Sequence, residues 1–205
     1  MKKILATVMV LIMVVSMTAC GSSKEKADPS TPTGGATVFL DALKAKDKDK
    51  LKDSYAGDSK QLLSAMGDMG ASSSADKTEK ELVKKMEEKI YDFDYEIKKE
   101  KIKDKKATVK LEITTYPFGK AIKDFMTELS KLFKDGSQGE SFEKATTKAT
   151  KKLISKIDKM KKDFSKTVDL SLSKKGKKWV VDSVENNNDF ADAMTGGMMS
   201  AIMPN

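Results

Sequence analysis

Tyr91-Asp92-Phe93-Asp94-Tyr95-Glu96-Ile97-Lys98 is where this chain changes its period. Just before it, Leu82, Val83, Met86 and Ile90 recur at helical spacing, which predicts a helix over about 77–89. From Tyr91 onward, Tyr91, Phe93, Tyr95 and Ile97 alternate with Asp92, Asp94, Glu96 and Lys98. Strict alternation predicts a half-buried strand. Asp104-Lys105-Lys106 turns the chain, and Ala107, Val109, Leu111, Ile113 and Thr115 alternate again. The pair reads as an antiparallel hairpin with one wet face, which makes the fold α+β.

Downstream, Tyr116-Pro117-Phe118-Gly119 ends the second strand. Phe118, Ile122, Phe125, Met126, Leu129, Leu132 and Phe133 then form a strong helical stripe. After the turn at 135–139, Phe142, Ala145, Ala149, Leu153, Ile157, Met160 and Phe164 predict a longer helix to about residue 166. The short turn predicts that the two helices pair antiparallel, with their joint stripe packed on the rest of the domain. Strands return at Val168, Leu170 and Leu172. A Lys174-Lys175-Gly176-Lys177 turn leads to Trp179-Val180-Val181-Asp182-Ser183-Val184. Asn186-Asn187-Asn188-Asp189 offers a cap for a last helix with Phe190, Met194, Met198 and Ile202, weakened by Gly196-Gly197. Met194, Met198, Met199 and Met203 can make that helix an adaptable binding surface, although closing the sheet is the simpler role.

Upstream, Thr33 is a candidate cap for a helix over 35–46, with Val38, Phe39, Ala42 and Leu43 on one side. Asp47 or Asp49 can cap a second helix through Leu51 and Tyr55 to Leu62, Leu63 and Met66. Residues 66–76 are Gly/Ser-rich and read as a loop. Residues 20–34 read as a flexible tether, and 35–205 as one α+β domain containing a helix-pair insertion at 118–166.

The N-terminus carries an address. Lys2 and Lys3 precede an apolar run from Ile4 to Val15, the length of a signal peptide and short for a membrane span. Met17-Thr18-Ala19-Cys20 follows, holding the only cysteine. These four residues resemble the bacterial lipobox, with Met17 where Leu is usual. The resemblance implies cleavage of residues 1–19, a diacylglyceryl group on Cys20, and a protein held on the extracytoplasmic face of the cell membrane. Two acyl chains at one residue suffice for a stable anchor, whereas one binds marginally. A buried structural cysteine is excluded by position, since Cys20 lies between a signal-like run and a Ser/Gly/Pro stretch.

Composition removes several chemistries. The net charge is +8 and every one of the 39 basic residues is Lys, with no Arg and no His. Arg forks are the commonest specific readers of guanine, so nucleic acid is not an expected partner. Without His, and with Cys20 acylated, Cys/His metal sites and Ser–His or Cys–His nucleophile pairs have no members. No catalytic residue, metal or cofactor is expected. The Lys bias is compatible with a low-GC, Gram-positive source, and the surplus with solvated helix faces or anionic envelope polymers.

Three stretches together resemble nuclear transport factor 2-like domains. Phe39-Leu40-Asp41-Ala42-Leu43-Lys44-Ala45-Lys46-Asp47 is similar to their opening helix. Lys106-Ala107-Thr108-Val109-Lys110-Leu111 is similar to an inner strand, and Gly176-Lys177-Lys178-Trp179-Val180-Val181-Asp182 to the closing strand. Residues 189–197 resemble the tail of a lipid-anchored Firmicutes group. The resemblance implies a curved antiparallel sheet wrapped around helices as a cone with a pocket.

The candidate pocket lining is Tyr91, Phe93, Tyr95 and Trp179, for which ordinary core packing is the simpler account. Asp92 and Asp94, out of phase with those aromatics, are expected to face solvent. Trp179 is expected to be buried in the sheet. The six lysines between Lys98 and Lys106 can touch anionic lipid or protect an edge strand. The expected function is a lipid-anchored binding or interaction module whose ligand is a small apolar molecule, a peptide or an envelope protein. The alternatives are a His-free pocket enzyme using Tyr and Asp, with Tyr116 or Tyr55 as proton donor, and a structural envelope lipoprotein. An exposed stripe on the 118–166 pair would instead mark a docking surface.

Overall fold

The computed structural model describes residues 27–67, 76–134 and 140–202. The signal stretch, Met17, Thr18, Ala19, Cys20 and Met203 lie outside the described residues, as does most of the 66–76 loop. Helix α1 (Pro32–Lys44) starts three residues earlier than the pattern predicts. The Thr31 side chain accepts from the Gly34 N–H, and Pro32 fits the first turn, where no N–H is needed. Gly35, the first residue of the expected helix, is a packing residue. A Cβ there would lie 2.5 Å from the Trp179 carbonyl oxygen, so only glycine lets α1 approach this close.

The second predicted helix is two. Helix α2 (Lys48–Ser54), capped by Asp47, stops at Tyr55, and α3 (Ser59–Gly67) follows. Tyr55 is extended and bridges Val181, and its phenol oxygen accepts from the Val184 N–H at 3.1 Å. A helix continuing through Tyr55 would forfeit both ties. Helix α4 (Lys77–Ile90) opens with a capping box between Asp76 and Glu79.

The sheet is an antiparallel, curved meander of order β1-β2-β3-β4, with β1 (Asp94–Lys103), β2 (Lys106–Thr115), β3 (Phe164–Lys175) and β4 (Lys178–Val181). Strand β1 begins later than the alternation suggests, because Tyr91 closes α4 and residues 91–93 form the bend into the strand. Helices α5 (Phe118–Lys134) and α6 (Glu140–Lys159) lie between β2 and β3. Phe164, expected to end a helix, instead begins β3 opposite Thr115. Its alternation is masked in sequence by Lys166, which shares the inner face with Val168 and Leu170 and is neutralised there by Asp189 and Asp192.

The closing helix is broken into α7 (Asn188–Met194) and α8 (Met198–Ile202). Gly196 and Gly197 take φ of 58° and 78°, and a Cβ on Gly196 would lie 1.7 Å from the Tyr116 carbonyl oxygen. The two glycines therefore do more than weaken a helix: they seat the break against the start of α5, where the Gly119 N–H donates to the Gly196 carbonyl at 2.9 Å.

Helices α1 and α7 cover the inner face of the sheet. The core there includes Phe39, Leu43, Phe93, Leu111, Ile113, Leu170 and Leu172. Burying each such side chain contributes about 1.5–3 kcal/mol.

The two ends of the sheet differ. At one end lie the β1–β2 and β3–β4 turns and the entry of the chain, where the Trp179 N–H donates to the Pro29 carbonyl at 2.8 Å. At the other end, α4 runs into β1, β2 into α5, and α6 into β3. Of these three helices α6 packs on both α4 and α5, and α8 packs on α5, with no extensive packing along a strand. The helix pair thus prolongs the domain beyond the sheet instead of lying across it.

Candidate functional site

The four expected lining residues are spread over the fold, from the α4–β1 bend and β1 to β4 at the opposite edge of the sheet. Phe93 is fully buried in the core, with its ring centroid 6.3 Å from that of Tyr95. Tyr95 is half-buried on β1 and donates to Asp41 at 2.7 Å; burial, then the Asp41 carboxylate, pushes its phenol pKa up. Tyr91 is buried beneath Lys46 and donates to the Leu63 carbonyl, and burial raises its pKa to about 12. Trp179 is 4% exposed, as its place in the sheet predicts, but sits on β4, at the opposite edge from β1. A small groove of about 120 Å³ beside it is lined by Pro29, Val38, Lys50, Asp53, Ser54 and Lys178.

What the fold does bring together are the three junctions between sheet and helices. Asp92 sits in the α4–β1 bend, outside the strand, so the alternation argument does not govern its direction. Tyr116, between β2 and α5, donates to Asp92 at 2.6 Å. Lys162, between α6 and β3, lies 3.0 Å from Asp92 and 2.9 Å from Asp94. Lys44 of α1 reaches Asp94 at 3.3 Å, and Lys89 stands 4.0 Å over the Tyr116 ring.

The Tyr116 hydrogen bond, aided by Lys162 against partial burial, holds the Asp92 carboxyl below the ordinary range. The same bond and burial push the Tyr116 phenol up, so it stays protonated at neutral pH. Asp92 has one oxygen on Tyr116 and the other on Lys162, which makes the cluster a tie between junctions. Sequence reasoning missed it because its members lie 24 and 70 residues apart.

A second tie anchors the tail. The nearly buried Asp192 accepts from the Ser200 N–H at 2.8 Å, the Ser200 hydroxyl at 2.9 Å and Lys166 at 3.0 Å. Burial raises its pKa, but these partners outweigh it and hold the carboxyl below its ordinary value.

The helix pair is antiparallel: Asp124 meets Lys156 at 3.4 Å, and Glu128 meets Lys152 at 2.6 Å. Its stripe is buried only at the root. Phe118 and Ala121 are buried, Ile122 and Phe125 half-buried, and farther out Met126 is 57% and Phe133 66% exposed. This corrects the expectation that the whole stripe packs on the domain. On α6 the buried face is Ala149, Leu153, Ile154 and Ile157, opposite α4 and the root of α5.

Toward the tip, the Phe133 and Phe142 rings lie 4.8 Å apart. Met126, Leu129, Ser130, Phe133 and Lys134 line an open apolar groove of about 420 Å³. Elsewhere α5 packs mainly on α6 and α8.

Among the described residues no group of three or more acidic, Cys or His side chains is placed to hold a metal ion, and no helix is long and apolar enough to cross a membrane.

No protein-family model matches the chain, and no curated protein does. One solved structure similar to it is that of a candidate lipoprotein, ycdA, of Bacillus subtilis subsp. subtilis str. 168. The TM-score is 0.51 at 14% identity over 82% of this chain, and the match spans 56% of the ycdA chain. At that identity the likeness concerns the fold alone.

Proposed function

We propose that this chain is a lipid-anchored extracytoplasmic interaction module of the cell envelope, which docks a segment of another envelope protein through the distal face of α5. The observation that carries the reading is the exposure of Met126 and Phe133 on a helix whose first turns are buried. An apolar stripe left uncovered on an ordered helix is the signature of a docking face. The anchor is the diacylglyceryl group on Cys20 expected from the lipobox-like residues, in agreement with the description of the ycdA neighbour as a candidate lipoprotein. The cone-type resemblance is part of this proposal, but the docking role does not require an open cone.

The position of the face favours a protein over the anchoring bilayer. The chain enters at the turn end of the sheet, and β2 runs nine residue steps from Lys106 to Thr115, about 30 Å, before α5 begins. The 17 residues of α5 add about 25 Å. A domain standing on its tether holds the groove far from the membrane.

Two measurements on the full chain in cells test the reading. A fatty-acid probe should label the wild type and not Cys20→Ala. A photo-reactive amino acid at position 133 should form protein adducts that one at the exposed position 175, near the tether end, does not. Label surviving in Cys20→Ala, or equal adducts at both positions, would contradict it.

A further inference from the structure

Resting on that docking role, we infer that the occupant of the α5 groove is an amphipathic helix with acidic flanks, carried by another envelope protein. The groove has the shape of a helix seat: Met126, Leu129 and Phe133 follow one another along a single stripe, the spacing that receives the apolar face of a second helix. The free charges that α5 presents beside it are basic. The acidic side chains of α5, Asp124 and Glu128, are engaged by Lys156 and Lys152 of α6. Lys134 lines the groove and Lys131 is exposed on the preceding turn.

Over residues 118–134 and 140–159 together, ten lysines stand against five acidic residues, so the pair carries most of the protein's net charge of +8. An acidic rim on the incoming helix meets Lys131 and Lys134 while its apolar face covers Phe133 and Met126.

The test is a selection on the full chain held in phosphatidylcholine nanodiscs. The probe is a display library of amphipathic helices with a fixed leucine stripe and Glu or Lys randomised at every flanking position. Enriched clones should carry Glu in excess. Phe133→Asp should weaken the selected helices by at least about tenfold, the scale of a central aromatic anchor. The double variant Lys131→Glu/Lys134→Glu should turn the preference toward Lys.

Enrichment that depends on Phe133 without charge bias would overturn the acidic-rim inference and leave the docking role standing. No enrichment over Phe133→Asp would overturn both. Phe133-dependent pelleting with phosphatidylglycerol vesicles, or Phe133-dependent self-association, would give the groove a different occupant and equally overturn the inference.

Discussion

Phe93 and Phe133 are the same side chain in opposite settings. Phe93 leads into β1 and has no exposed surface, a core residue with the Tyr95 ring beside it and Lys44 of α1 over its face. Phe133 lies near the far end of α5, is 66% exposed, and has Phe142 of α6 as its ring neighbour. In sequence both sit in strongly patterned stretches, and each pattern says that one face is to be covered. The pattern does not say by what. Around Phe93 the cover is the chain itself. Around Phe133 the cover from α8 runs out along the helix, and part of the stripe is left for another molecule.

The largest expected effect tests the enclosed side of this contrast. Phe93→Ala should cost about 3–5 kcal/mol in chemical denaturation of the full chain, as for other buried aromatics. A loss below about 1 kcal/mol would mean that the residue is not enclosed.

Next in size is Asp192→Asn, which weakens the tie between β3 and α8 and so removes cover from the root of α5. About 1–3 kcal/mol is expected at neutral pH. The pH dependence has a definite sign. The folded Asp192 carboxyl lies below its ordinary value of 3.8, so its contribution is complete above that pH and is lost as the pH falls through the folded value. Wild type and variant should therefore differ at pH 7 and converge in acid. A gap that persists in acid would assign the effect to packing.

The smallest effect is the most informative about the tip. Phe133→Ala should change stability by no more than about 0.5 kcal/mol, the range of ordinary surface changes. A core-sized loss would mean that the tip is covered by the protein itself.

Which parts of this were legible in the sequence follows from the range of each interaction. The alternation of Val109, Leu111 and Ile113, and of Val168, Leu170 and Leu172, is local and marks the inner face directly. The burial of Trp179 follows from its place between a Gly-containing turn and Val180-Val181.

Where a local pattern had a non-local purpose, it misled. Gly35 reads as the plain start of a helix beside the tether, but its small size serves the approach to Trp179, 144 positions away. Lys166 hides the first part of β3 because a lysine on an inner face is tolerable only with Asp189 and Asp192 beside it, and those lie on another element. Asp92 follows the alternation on paper, but the strand starts two residues later, which frees it to meet Tyr116. The stripe of α5 was plain, and only the three-dimensional extent of α8 shows where its cover stops.

Hydrogen exchange along α5 in the full chain, free of any partner, tests the central claim most directly. Local opening follows the density of buried contacts. The account predicts a gradient: slow exchange over 119–125 and over 149–157 of α6, and fast exchange over 129–134 and 142–145. Uniformly slow exchange from the root to the tip of both helices would show that the groove is already covered and would contradict its assignment as a docking face.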